Sequence, residues 1–290
     1  MNKSMLKALN LNSEAIIKNS NMITQDALKD IFKPKISRWR TSITQVEPNR
    51  LITRGYSQED LIGNISFPAM INLLLKGRLP TKKEEKMLSA VLVSFCDHGV
   101  TPPSTQSARL MASAGSSINA CIAGGILAFG ENHAGAIEKS MKMLQEGVEI
   151  AQTYSRPLNK VAKEIFFEYL NNGLKIPGFG HRYHNEDPRA PRLLELAKNY
   201  GYYGDHSKLI VSLEKLLEDE KRIKMNVDGV NAAVLSDLGF DWRIGCGMFI
   251  IGRIPGILAH VCEEKTKEEP FRKIFDPEDI YQPPAQINFL

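Results

Sequence analysis

Six histidines occur in this 290-residue chain, and three stand beside glycine: Cys96-Asp97-His98-Gly99, Glu131-Asn132-His133-Ala134-Gly135 and Gly178-Phe179-Gly180-His181-Arg182. A histidine inside a helix is usually structural. One at a glycine-flanked helix end can point its ring into a cleft and be oriented by backbone groups. A carboxylate, Asp228, follows a charged stretch in Asn226-Val227-Asp228-Gly229. Imidazoles with a carboxylate can move protons. Guanidinium groups add anion recognition: Arg182 and Arg189 flank the loop after His181, and Arg253 interrupts the apolar run FIIGRIPGILAH. A buried arginine is costly unless an anion compensates it, and its planar fork binds carboxylates in bidentate fashion. The set points to a substrate with several carboxylates. An internal ion pair for Arg253 and a solvated rim for Arg192 are the plainer alternatives. His184 could touch a ligand or simply be solvated in its loop, His206 begins a surface helix, and His260 reads as a satisfied core histidine.

Other chemistries lack their signatures. There is no GxSxG elbow, no phosphate-binding P-loop, no HExxH and no strand-GxGxxG-helix context. Nothing in the long separations of His98, His133 and His181 supports a metal site, so none is expected. The four cysteines (Cys96, Cys121, Cys246, Cys262) form no CxxC pair, which signals neither zinc nor a disulfide framework. Reduced thiols in the cytoplasm are expected. With 37 basic and 33 acidic side chains, net charge +4 and no Lys/Arg-rich run, nucleic acid is not an expected partner. The N-terminus carries Glu14 and no unbroken apolar core, which argues against a secretory signal. No apolar run approaches the roughly 20 residues that a membrane-spanning helix needs.

The elements that must position these groups are mostly helices. Residues 1–38 form an N-terminal arm. RTSITQVEPNRLITRGYS holds two β-rich runs around Glu47-Pro48-Asn49, the one convincing hairpin signal. A helix opens at Ser66-Phe67-Pro68 and ends near Gly77. In the next, Met87, Leu88, Val91, Leu92 and Phe95 make one stripe, closed by Gly99. SARLMASAGSSINACIAGGILAFG, rich in Ala, Ser and Gly, reads as a buried central helix. Leu209, Leu213, Leu216 and Leu217 define another amphipathic helix, and Gly229 to Val261 is apolar around most of the helical circumference. The expected fold is all-α with one small β-hairpin near the N-terminus.

CDHG, the GxxH turn from Gly130 to His133, PGFGHRYHNEDPRAPR, NVDG and the GRxxG at Gly252-Arg253 occur in that order. In that order and spacing they resemble the citrate synthase superfamily, over about Trp39 to Tyr281. The closest likeness is to compact citryl-CoA lyases and the C-terminal citrate-cleaving module of ATP-citrate lyase. The resemblance implies a large domain (39–150 and 236–290) and a small one (151–235) closing over the site, in a homodimer or larger homo-oligomer. It also implies an acyl-CoA thioester as substrate and no permanently bound cofactor. His181 would hold the oxygen that is a ketone in oxaloacetate and a hydroxyl in citryl-CoA. Asp228 would exchange a proton with the acetyl methyl, and His133 would stabilise the thioester enolate. His98, Arg182, Arg189 and Arg253 would bind carboxylates, with Arg272 a further binder reaching across the dimer. Pro177, Gly178, Phe179 and Gly180 would approach CoA.

The chain also departs from the synthase pattern. Citrate synthases are usually longer, and many carry Arg-Pro-Arg before a C-terminal tyrosine. Here the tail is PFRKIFDPEDIYQPP, nearer that of the lyase module. His133 stands where the lyase module of ATP-citrate lyase lacks a histidine, and the loop between His181 and Asp187-Pro188-Arg189 is one residue short. Lyase-like architecture with synthase-competent chemistry follows. The leading expectation is a citryl-CoA lyase-like carbon-carbon lyase. The alternatives are a Claisen-type condensing enzyme joining an acyl-CoA to a 2-oxo acid, or a non-catalytic CoA-binding subunit.

Overall fold

A computed structural model describes residues 39–182 and 184–272. The arm expected over 1–38 and the tail beyond Arg272 lie outside the described residues. Contacts divide the chain into Met1–Gln45 and Val46–Leu290. In the first unit Ile43 N donates to Thr41 Oγ1 at 3.1 Å. All the chemistry lies in the second.

Strands β1 (Thr44–Glu47), β2 (Arg50–Thr53) and β3 (Tyr56–Ser57) form a sheet in that order. The expected hairpin is present, and Asn49 turns it with φ 57°. The third strand, which the sequence reading omits, places Ile52 opposite Ser57 and Thr53 opposite Tyr56.

Eleven α-helices follow among the described residues. After α1 (Gln58–Leu61), α2 (Phe67–Lys76) begins where Ser66 accepts from Ala69 N and stops at Gly77, with φ 74°. α3 (Lys82–Phe95) opens on a reciprocal cap between Thr81 and Glu84. The Arg78 guanidinium on the Glu84 carboxylate holds its pKa down at about 2. The predicted stripe on α3 is buried, from Met87 to Phe95.

The Ala/Ser/Gly-rich segment is a correction. It is not one buried helix but two, α4 (Pro103–Ser113) and α5 (Ile118–Leu127), packed on each other across a turn at Gly115, with φ 85°. α5 buries only Cys121 and Gly125, and Leu127 is 84% exposed. Small residues allow close packing, but here they pack one side only.

α6 (Gly135–Thr153), α8 (Arg189–Tyr200) and α9 (Asp205–Lys221), with α3, pack around α10 (Val227–Asp237), and α7 (Leu158–Asn171) packs on α6 and α9. α10 is buried along nearly its whole length, as expected of a helix apolar all round. A short 3₁₀ turn (Trp242–Ile244) leads into α11 (Gly245–Lys267). Together, Trp242–Lys267 are long and apolar enough to cross a membrane by length and composition, contrary to the sequence expectation. In this fold α11 packs against α3, α4, α5 and α6. Gly256 sets how close it comes to α3, since a Cβ there would lie 2.0 Å from the Cys96 carbonyl oxygen.

Candidate active site

Seven of the eight residues singled out for catalysis or carboxylate binding line one cavity of about 270 Å³: His98, His133, His181, Arg182, Arg189, Asp228 and Arg253. They arrive from five places. His98 follows the C-terminus of α3, His133 precedes α6, Asp228 lies in the first turn of α10, and Arg253 is on α11. His181, Arg182 and Arg189 come from the loop leading into α8 and from its first residue.

A backbone crossing brings the loop and α10 together. Gly178, at φ 90°, lies against Gly229, and a Cβ on Gly229 would fall 2.3 Å from Gly178 O. Asn226 N donates to Gly178 O at 3.0 Å, Gly180 N to Lys224 O at 2.8 Å, and Asn226 Nδ2 to Gly180 O at 2.6 Å. The Asn226 side chain also caps α10, accepting from Asp228 N and Gly229 N at 3.0 and 3.1 Å. Only glycine permits this approach at both positions. The glycines expected to make room for CoA thus have a structural purpose: they hold His181 beside Asp228. Phe179 and Gly180, with Arg182, also border a second cavity of about 450 Å³, while Pro177 lines a third.

Asp228 keeps part of its surface accessible, but its Oδ1 is sealed and has no hydrogen-bond partner. Burial raises its pKa to about 6 against the pull of Arg189 and Arg253. Arg253 is 3% exposed. It donates from Nε to Phe95 O at 2.6 Å, stacks over Phe249 at 5.0 Å, and leaves Nη1 buried without a partner. Burial, which disfavours the charge, lowers its pKa. The internal ion pair considered for Arg253 is therefore not how it is satisfied.

His133 stacks on Phe129 with centroids 4.7 Å apart, and its Nε2 lies 2.8 Å from Ser104 Oγ. Burial first, then Arg253 and Arg182, push its pKa down to about 4, so the ring is neutral near pH 7. The Gly130 and His133 backbones exchange hydrogen bonds, which close the turn, and Ala134 at φ 65° starts α6. The His98 and His181 pKa values are also lowered, chiefly by burial. For His181, Asp187 opposes that shift. A titratable carboxylate, neutral imidazoles and buried cations can shift a proton at carbon, stabilise an oxyanion and hold carboxylates.

Several expectations change. His181 is not at a helix end but in an extended loop, eight residues before α8. Arg189 reaches the cavity, yet it is already paired: Nε and Nη2 donate to Asp187 at 2.9 and 2.8 Å, and Asp187 also accepts from Val227 N. Arg272, expected to act across the dimer, donates within its own chain to Glu264 at 3.0 and 2.7 Å. His260 is not a core residue but holds Asp97 at 3.0 Å, beside Arg109 at 3.3 Å. Arg192 is solvent-exposed on α8 and paired with Glu195. Sequence reasoning missed Ser104, Asp187 and Phe249. Asp187-Pro188-Arg189 offered a signal for Asp187, whereas Ser104 lies 29 residues from its histidine with no local pattern to mark it.

Residues 82–278 match the family described as citrate synthase, C-terminal domain. Citrate synthase 2 of Bacillus subtilis is 35% identical over 223 residues, which are 74% of this chain and 56% of that protein. The chain thus spans about half the length of the citrate synthases it matches. The structure of citryl-CoA lyase from Hydrogenobacter thermophilus superposes with TM-score 0.77 and 44% identity, covering 86% of this chain and 97% of that one. ATP citrate lyase from Methanothrix soehngenii, in complex with citrate and coenzyme A, gives TM-score 0.72 over 98% of this chain and 48% of its own. At 18% identity that likeness concerns the fold. The chain belongs to the citrate synthase family.

Proposed function

We propose that the protein cleaves citryl-CoA, or a related 3-hydroxy-3-carboxyacyl-CoA, to acetyl-CoA and oxaloacetate or its analogue. The observation that carries the reading is Asp228, whose sealed Oδ1 has no partner and whose pKa is raised to about 6, among the histidines and arginines of the cavity. The 44% identity to a citryl-CoA lyase over nearly that whole chain favours the cleavage direction.

In this reading Arg253, Arg182, Arg189 and His98 hold the carboxylates, and His181 takes the proton of the C3 hydroxyl as the carbon-carbon bond breaks. The bonding pair becomes the acetyl-CoA enolate. With Ser104 donating to Nε2, His133 carries its single N–H on Nδ1 for the enolate oxygen, an interaction of a type that contributes about 3–4 kcal/mol. Asp228 delivers its proton to the enolate carbon. CoA enters as a substrate thioester. The larger cavity beside His181 carries Lys175, Lys221 and Arg182, suited to its phosphates. The division into large (39–150, 236–290) and small (151–235) domains, their closure, a homodimer or larger assembly and a cytoplasmic location belong to the same proposal.

The complete set of His133, His181 and Asp228 also suits condensation of an acyl-CoA with a 2-oxo acid, and relatives named citrate synthase share the chain's matched region. Purified protein given citryl-CoA should release acetyl-CoA and oxaloacetate. Release of free CoA from acetyl-CoA plus oxaloacetate, with no cleavage of citryl-CoA, would replace the lyase reading with the synthase one. CoA binding without turnover in either direction would leave a non-catalytic subunit.

A further inference from the structure

His184 plays no part in the reading above, yet it stands at the edge of the site. Its ring centroid is 4.4 Å from that of His181 and 5.9 Å from that of His98, while His98 and His181 are 5.1 Å apart. The His184 backbone N–H donates to His181 Nδ1 at 3.2 Å, which keeps the two rings side by side. One ring nitrogen from each of the three lies within 4.8 Å of the others. A tetrahedral metal with Zn–N bonds of 2.0–2.1 Å needs its ligand nitrogens about 3.4 Å apart, so binding requires rotation of the exposed His184 together with a small closing shift between His98 and His181. We infer that His98, His181 and His184 form a site for a divalent transition metal such as Zn²⁺ or Co²⁺, whose occupancy blocks the carboxylate pocket.

Three considerations support the site. Burial lowers the pKa values of His98 and His181, which favours the neutral rings that a metal requires. Asp187 pairs with Arg189, and Asp97 and Asp228 offset part of the charge of Arg253, although Arg189 and Arg253 still lower the His98 pKa. His184 is exposed and does not line the carboxylate cavity, so a metal can enter from solvent and acquire the two inner rings second. Three imidazoles leave a fourth position for water. The blocking of substrate rests on the proposed function; the metal site does not.

The test uses untagged full-length protein, titrated with Co²⁺ and followed by visible absorption, beside His184→Ala. Wild type should bind one Co²⁺ with nitrogen and oxygen ligation and no thiolate charge-transfer band. His184→Ala should bind at least about 10-fold more weakly and cleave citryl-CoA normally without metal. Zn²⁺ should raise the apparent KM of wild type and lose about the same factor of potency against the variant. Equal Co²⁺ affinity in the two proteins, or a thiolate band, would overturn the site. If neither protein turned over citryl-CoA, the Co²⁺ titration would still decide it.

Discussion

Arg109 on α4 and Arg253 on α11 are both almost fully buried, at 7% and 3% exposure, but they keep different company. Arg109 donates to Glu264 at 2.7 Å and Glu263 at 3.1 Å and lies beside His260; Arg272 shares the same Glu264. Arg253 has one backbone acceptor and an unpartnered Nη1, and Asp228 in the same cavity has an unpartnered Oδ1. A charge cluster that satisfies itself holds a fold together. One that buries charge and leaves hydrogen-bonding atoms unmet is shaped for something that arrives later. The two clusters meet at Asp97, which His260 holds from one side while its Oδ2 accepts from Gly99 N at 3.0 Å, fixing the turn that carries His98.

The contrast breaks most sharply at Asp228. Asp228→Asn should reduce turnover by about 10²–10⁴-fold, the range associated with losing a positioned acid or base, with dicarboxylate binding nearly intact. Steady-state kinetics beside equilibrium binding of oxaloacetate would show it. At the other cluster Glu264→Gln removes the buried partner of Arg109, leaving it Glu263 and Glu268 near the surface, and should cost up to about 3 kcal/mol of stability in urea unfolding. Replacing both partners, Arg109→Met with Glu264→Leu, should recover most of that loss. Arg253→Met should behave oppositely to Glu264→Gln. It should lower kcat/KM by at least about 30-fold, as expected when a charge pair with substrate is removed, while thermal stability holds or rises. A cavity arginine that proved structural would instead lower the melting temperature.

The smallest effect is in pH. Microscopic reversibility requires Asp228 protonated before cleavage and ionised before condensation. With its pKa raised to about 6, kcat/KM for cleavage should fall as pH rises through 6, and that for condensation should fall as pH drops through it. His133, at about 4, adds no limb above pH 5. The same shift acts on stability. The folded state holds this proton more tightly than the unfolded one, so the burial penalty is absent below about pH 4 and complete above 6. Asp228→Asn should therefore be more stable than wild type at pH 7 and no more stable at pH 4, as chemical denaturation at the two pH values would report.

The sequence was most readable where chemistry and local backbone rules coincide. The His98, His133, His181, Asp228 and Arg253 motifs each carry a glycine neighbour, and three of these, Gly135, Gly229 and Gly252, mark close backbone approaches. The cap at Asn226 and the stripe on α3 follow from short-range spacing. Pairing was not readable. The Asp187-Pro188-Arg189 motif points to Asp187 without saying whether it or a ligand meets Arg189, nothing near Arg272 names Glu264, and His260 meets Asp97 across 163 residues. The α4–α5 hairpin was misread because small residues signal close packing without saying on how many sides. The third strand was missed because β3 is only two residues long.

Cleavage of citryl-CoA in D₂O tests proton delivery by Asp228 most directly, read by mass spectrometry of the acetyl-CoA formed. Wild type should produce acetyl-CoA with a single solvent deuterium in its methyl group, and Asp228→Asn should produce almost none in the same time. Cleavage and deuterium incorporation by Asp228→Asn at the wild-type rate would contradict the account.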